Sequence, residues 1–168
     1  TLTITKTLVT APNPWDPNAD NVVFDLAITN TSVMEARNIQ IQDVQPRNWY
    51  FYDGSIVADS GSTFFLSSSA PTLSGTLDVV AAGSTVHITV PMSYRAGELG
   101  LPITYLNTAR ILEFTDTAGS VVNARPGSPY EIAPSSASVT PLVPHLTVTK
   151  TVAPVVATSS LVTYTVTI

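Results

Sequence analysis

Three polar residues stand where strand alternation would put apolar ones. In "LTITKT", Leu2, Ile4 and Lys6 share one face of an extended strand with Leu8, while Thr3, Thr5 and Thr7 share the other. "NIQIQDVQP" (Asn38–Pro46) sets Asp43 on the face of Ile39 and Ile41, opposite Gln40 and Gln42. "ITYLNTARI" (Ile103–Ile111) sets Asn107 among Ile103, Tyr105, Ala109 and Ile111. Buried singly, each of these polar groups would lose its hydration without compensation. Buried together, a lysine, an aspartate and an asparagine answer one another.

Together they also have chemistry. Burial disfavours charge, so a desolvated lysine gives up its proton more easily and a desolvated aspartate keeps its own. The free amine of Lys6 is then a nucleophile. A protonated Asp43 donates a hydrogen bond to the side-chain carbonyl of Asn107 and makes its carbon electrophilic. Attack would expel ammonia and leave a Lys6–Asn107 isopeptide bond, with Asp43 as the proton shuttle. The reaction is single-turnover, needs no cofactor, and requires only that the fold hold the atoms in contact. The plainer alternative is a buried Lys6–Asp43 ion pair with Asn107 hydrogen-bonded beside it and no covalent bond. Asp25, next to Phe24, faces outward by alternation; a one-residue slip in register would make it a rival acid.

The lysine strand occurs twice. "LTITKT" at Leu2 returns as "LTVTKT" at Leu146, an offset of 144 residues that aligns Lys6 with Lys150. Downstream, "VVFDLAI" (Val22–Ile28) parallels "LVTYTVTI" (Leu161–Ile168), pairing Phe24 with Tyr164, and the first copy carries a four-residue insertion near "NPWDPNAD". Such self-similarity marks a tandem array. Residues 1–143 read as a complete repeat and residues 144–168 as the first two strands of a following one. "APSSASVTPLVP" (Ala133–Pro144) ends as a stiff junction between them. Lys150 is the corresponding amine of the second repeat, whose sheet is to be completed by further chain or by another molecule. The start at a threonine reads as a processed product or an excised fragment.

The elements that must position these residues are strands. Hydrophobic residues make up 44% of the 168 positions, charged residues 11%, and serine and threonine 41 positions. Thirteen prolines, eight glycines and abundant Thr and Val predict short strands joined by tight corners. Strands are expected near 2–9, 21–29, 38–44, 49–52, 63–66, 76–80, 85–95, 103–115, 120–124 and 136–142. The fold class is all-β, an immunoglobulin-like β-sandwich with Greek-key connections. A net charge of −5 with scattered cations argues against a nucleic-acid partner. No apolar run reaches the length of a membrane helix, so no membrane insertion is expected in this segment. Low charge, high Ser/Thr content and the absence of cysteine fit an extracellular or cell-surface protein stabilised by something other than disulfides.

On these motifs, the chain resembles a repeat domain of unknown function (the DUF-eleven type) found in tandem in large bacterial and archaeal surface proteins. "LTITKT", "VVFDLAITNTSVMEARNIQIQD" and "YLNTARI" look like its lysine strand, its aromatic-to-asparagine strand followed by the aspartate strand, and its "N-T-A" strand. That domain is similar to the A-type stalk domains of collagen adhesins and pilins, which carry Lys–Asn isopeptide bonds assisted by an aspartate. The resemblance covers roughly residues 2–110 and again 146–168. It implies Lys6 as amine, Asp43 as catalytic acid and Asn107 as acceptor. Asp25, where the second copy has Thr165, is a departure.

Other signals are weaker. "DPNADN" spaces Asp16, Asn18 and Asp20 as an oxygen-rich calcium loop would, without the glycine and distal glutamate of an EF-hand; an ordinary turn is the default. "RNWYFYD" offers Trp49, Tyr50 and Tyr52 as an aromatic strip for glycan or protein, or as rings plugging one end of the core. Asn30-Thr31-Ser32 is a formal glycosylation sequon that a turn explains equally well. His87 and His145 have no metal-ligand spacing, and no motif of a multiple-turnover enzyme is present. The expected function is a structural repeat of a surface stalk or filament, partnered by neighbouring repeats or identical subunits, with strand sharing as one route of assembly. The alternative is an adhesin-type binding module.

Overall fold

The computed structural model describes residues 1–11, 22–47, 49–51, 55–68, 71–94, 104–140, 148–152 and 164–167. The chain enters with β1 (Leu2–Thr10) and β2 (Val22–Asn30), crosses to β3 (Ala36–Val44), and returns through β4 (Trp49–Phe51) and β5 (Val57–Ala58). It crosses again to β6 (Phe64–Ser68) and β7 (Thr72–Val80), then comes back as β8 (Thr85–Tyr94). The second sheet is finished by β9 (Tyr105–Thr115), β10 (Val121–Asn123) and β11 (Ser135–Val139). One sheet runs β1-β2-β8-β4 with β5 also on β8; the other runs β10-β9-β3-β7-β6 with β11 also on β9. All these pairings are antiparallel. The all-β, immunoglobulin-like sandwich expected from the sequence is the fold observed.

Alternation builds both inner faces. β1 buries Leu2, Ile4 and Lys6 and exposes Thr3, Thr5 and Thr7; β2 buries Val22, Phe24, Leu26, Ile28 and Asn30. Against them the second sheet packs Ile39, Ile41, Leu73, Leu77 and Ile111, so the core is a single apolar layer between two pleated surfaces. Register ties the strands into rows: Lys6 lies opposite Leu26 and Leu26 opposite Ile88, while Leu8 lies opposite Phe24 and Phe24 opposite Val90.

Two departures from the expected strands have local causes. β7 starts at Thr72 rather than near residue 76, because "TLSG" lacks a clear strand signal. Gly75 is tolerated there because the ring of Phe64 covers it, occupying the space a Cβ would need. Gly75→Ala is therefore expected to displace Phe64 and lower stability by about 1–3 kcal/mol, read as a lower urea midpoint. β3 extends back to Ala36 through a bulge at Asn38, whose φ of 50° is a conformation asparagine tolerates.

The second copy forms its own two-stranded sheet, β12 (Thr149–Val152) with β13 (Tyr164–Thr167). Its register repeats that of β1 and β2. Lys150 pairs with Val166 and Val152 with Tyr164, as Lys6 pairs with Leu26 and Leu8 with Phe24. The four-residue difference between the copies thus falls in the connection between the strands, outside the described residues, and leaves the hairpin register unchanged.

Candidate crosslink site

Lys6, Asp43 and Asn107 are buried, at 4%, 0% and 0% exposure. Lys6 comes from β1 in one sheet; Asp43 and Asn107 come from β3 and β9 in the other. On the second sheet Asp43 lies opposite Ala109, and Asn107 is the next residue of β9 on the same face. β11 joins the two halves of the site. Its Ser135 pairs with Ala109, and the Ser135 hydroxyl oxygen accepts the Lys6 backbone N–H at 2.9 Å. This bond ties the edge strand β1 to the β9–β11 pair.

The Lys6 amine meets Asp43 Oδ2 directly, both side chains being sealed from solvent. Lys6 Nζ also sits over the Phe24 ring, 4.6 Å from its centre. On the other side of the site, Asn107 Nδ2 donates to Met92 Sδ at 3.1 Å. Phe24 and Met92 are diagonal neighbours on the inner face of the first sheet, since Phe24 pairs with Val90 and Met92 is two residues farther along β8. The Lys6 amine and the Asn107 amide nitrogen thus touch neighbouring residues of one surface. Two oxygens, Asp43 Oδ1 and Asn107 Oδ1, are buried without a hydrogen-bond partner.

Desolvation pulls Lys6 below the ordinary lysine value, opposed by the charge and hydrogen bond of Asp43. Desolvation likewise pushes Asp43 above the usual carboxylate range, opposed by Lys6. Both directions favour a neutral amine beside a protonated acid, the protonation states that nucleophilic attack on a carboxamide requires. A proton on Asp43 Oδ1 would also give the two unpartnered oxygens a hydrogen bond to make.

The remaining candidates are dispersed. Asp25 faces outward, as alternation requires, and its Oδ2 is bonded to His87 Nδ1 at 2.8 Å on the solvent side of the first sheet; it is no rival acid. That bond raises the His87 pKa above the ordinary histidine value. A raised folded-state pKa gives stability that is fully present below the unfolded value and is lost as pH rises through the folded value. His87 is half exposed, so the expected effect is small, well under about 1 kcal/mol. Asp25→Asn should flatten this part of the pH–stability curve.

Trp49 is a correction. It is fully buried and meets Tyr105 edge-on with ring centres 5.6 Å apart, so it belongs to the core and cannot serve in a surface strip. Tyr50, pointing the opposite way, is exposed. Tyr52 and the Asp16, Asn18 and Asp20 loop lie outside the described residues, as do the side chain of Lys150 and the 143/144 boundary. Asn30 of the sequon is also buried, its Nδ2 donating to the backbone carbonyls of Met34 and Val80. It is a turn-forming residue with its amide already engaged. Sequence reasoning missed Met92 and Ser135, because an apolar residue in an apolar position and one serine among many carry no distinguishing signal.

No protein-family model matches the chain, and no curated protein is matched by it. Among solved structures it is similar to a non-cellulosomal cohesin from the hyperthermophilic archaeon Archaeoglobus fulgidus, at TM-score 0.50 and 13% identity over 84% of this chain and 91% of that one. A collagen-binding domain from a Staphylococcus aureus adhesin gives TM-score 0.48 and 13% identity, over 83% of this chain and 98% of that one. An exo-β-N-acetylglucosaminidase from Vibrio harveyi gives TM-score 0.47 and 12% identity, over 92% of this chain and 20% of that one. What the chain shares with the cohesin is the fold.

Proposed function

We propose that this chain is a structural repeat of an extracellular stalk or filament, stabilised by an isopeptide bond that it forms by itself between Lys6 and Asn107. The observation that carries the reading is the burial of all three polar groups on facing inner surfaces, with Lys6 on Asp43, Asn107 next to Asp43's partner position on the same face, and the Asp43 and Asn107 Oδ1 atoms unpartnered. A noncovalent core would satisfy those atoms or replace them with apolar ones.

In this mechanism Lys6 Nζ attacks Asn107 Cγ while protonated Asp43 donates to Asn107 Oδ1. The tetrahedral intermediate collapses with cleavage of the Cγ–Nδ2 bond. One amine proton stays on the new amide; the other reaches Nδ2 through Asp43, and ammonia leaves. Asp43 ends in its initial protonation state. The bond closes a loop between residues 101 positions apart and bridges the two sheets. By analogy with a disulfide of that span, it would add about 4–5 kcal/mol through the unfolded state. Tension applied at the chain ends could not extend the segment it spans. The module is a single-turnover protein rather than an enzyme, and its partners are neighbouring repeats or identical subunits.

An adhesin role for the aromatic strip loses its anchor with Trp49 in the core, and no other observation favours it. The test is the intact mass of the chain beside its Lys6→Ala variant. The parent is expected to fall short by one ammonia and the variant to show its full mass. A parent at full mass would reduce the site to a buried ion pair.

A further inference from the structure

We infer that Met92 is a positioning residue for the crosslink, setting which way the Asn107 carboxamide faces. The inference rests on the isopeptide reading above and adds a residue to it. A side-chain amide can sit in its site in two orientations that differ by exchange of oxygen and nitrogen. Only one is productive here: Oδ1 must face Asp43, to accept its proton, and Nδ2 must be free to leave. Asp43 by itself does not choose between them, because a protonated carboxyl offers both a donor and an acceptor. The choice is made from across the core.

Met92 Sδ, on β8 of the first sheet, accepts an N–H from Asn107 Nδ2 at 3.1 Å. The flipped amide would set the Oδ1 lone pairs against the sulfur lone pairs and lose that bond. Met92 is fully buried, so water does not compete for its sulfur. The thioether suits the task because it is a weak acceptor. It biases the amide in the ground state yet holds the departing nitrogen only lightly when the Cγ–Nδ2 bond breaks. A glutamine there would hold Nδ2 more strongly, and a leucine would not orient it at all.

The experiment follows ammonia loss by intact mass during a timed course of cell-free synthesis. It compares the parent, Met92→Leu, and a Met34→Leu chain in which methionine is replaced by norleucine. Position 92 is then the only methionine of the sequence so replaced. Leucine keeps approximate volume, and norleucine keeps shape, while both delete the acceptor. The same position-92 changes on a Lys6→Ala background, where no bond can form, report folding alone through the urea midpoint. The expected result is crosslinking at least tenfold slower in both acceptor-free chains, with the norleucine chain folding as the parent does; a misplaced reacting group can cost as much as about a hundredfold. Equal rates in the parent and the norleucine chain would overturn the role of Met92 and leave the crosslink intact. A parent that loses no ammonia would overturn both.

Discussion

Asp43→Ala is expected to arrive at full, unmodified mass and to be less stable than an uncrosslinked reference by about 3–5 kcal/mol. The full mass follows from the proposed mechanism, in which the Asp43 carboxyl that meets the Lys6 amine serves as the acid. Without it, no proton is held for the carboxamide oxygen or passed to the leaving nitrogen. The instability follows because Lys6 is left in a dry core without its partner. The suitable reference is the double variant Lys6→Met/Asp43→Leu, which cannot crosslink and carries no buried charge. Replacing a whole buried pair by apolar residues is often nearly neutral. The gap between the parent and this double variant therefore isolates the crosslink, expected at about 4–5 kcal/mol. Intact mass and urea midpoints of the three chains check both expectations, and a double variant as stable as the parent would leave no contribution for a covalent bond.

In the proposed reaction the same pair sets the expected pH dependence of bond formation. A charged pair and a neutral pair hold the same one shared proton, so the reaction should be insensitive to pH through the neutral range. It should slow in acid, when Lys6 is protonated as well as Asp43. It should slow again in alkali, when Asp43 loses the proton that burial helps it keep.

Trp49→Ala is the second large effect, with an expected loss of about 3–5 kcal/mol. The indole has no exposed surface and lies edge-on to Tyr105, so truncation opens a cavity at the end of the core. Tyr50→Ala, one residue on and exposed, should cost much less than Trp49→Ala, since it opens no core cavity. The contrast also decides how a binding experiment must be read. Loss of glycan or protein binding in Trp49→Ala would report a damaged fold, whereas loss in Tyr50→Ala, with an unchanged urea midpoint, would report a true contact.

Much of this site is legible in the amino-acid sequence. Alternation is a property of one strand at a time, with a period of two, so "LTITKT", "NIQIQD" and "YLNTARI" each reveal locally that a polar residue faces inward. The outward direction of Asp25 follows from the same rule. The register of the second hairpin does not: Lys150 and Tyr164 are 14 residues apart against 18 for Lys6 and Phe24, yet their strands pair in the same register. The rule fails where both faces look alike. In "WYFY" every position is aromatic, so the pattern cannot say that Trp49 goes in and Tyr50 out. It places Asn30 inward at the end of β2 but cannot say that its amide is engaged by the Met34 and Val80 carbonyls.

Residue order alone dictates the all-β class, the inward facing of Lys6, Asp43 and Asn107, and the repetition of the lysine strand. Which groups meet across the core depends on the packed sheets: Lys6 with Asp43 and Phe24, Asn107 with Met92, and β1 with Ser135 of β11. The division has a physical reason. The direction of a side chain is encoded in its own strand, but its partner on the opposing sheet depends on how two twisted surfaces pack, and no single stretch of chain carries that information.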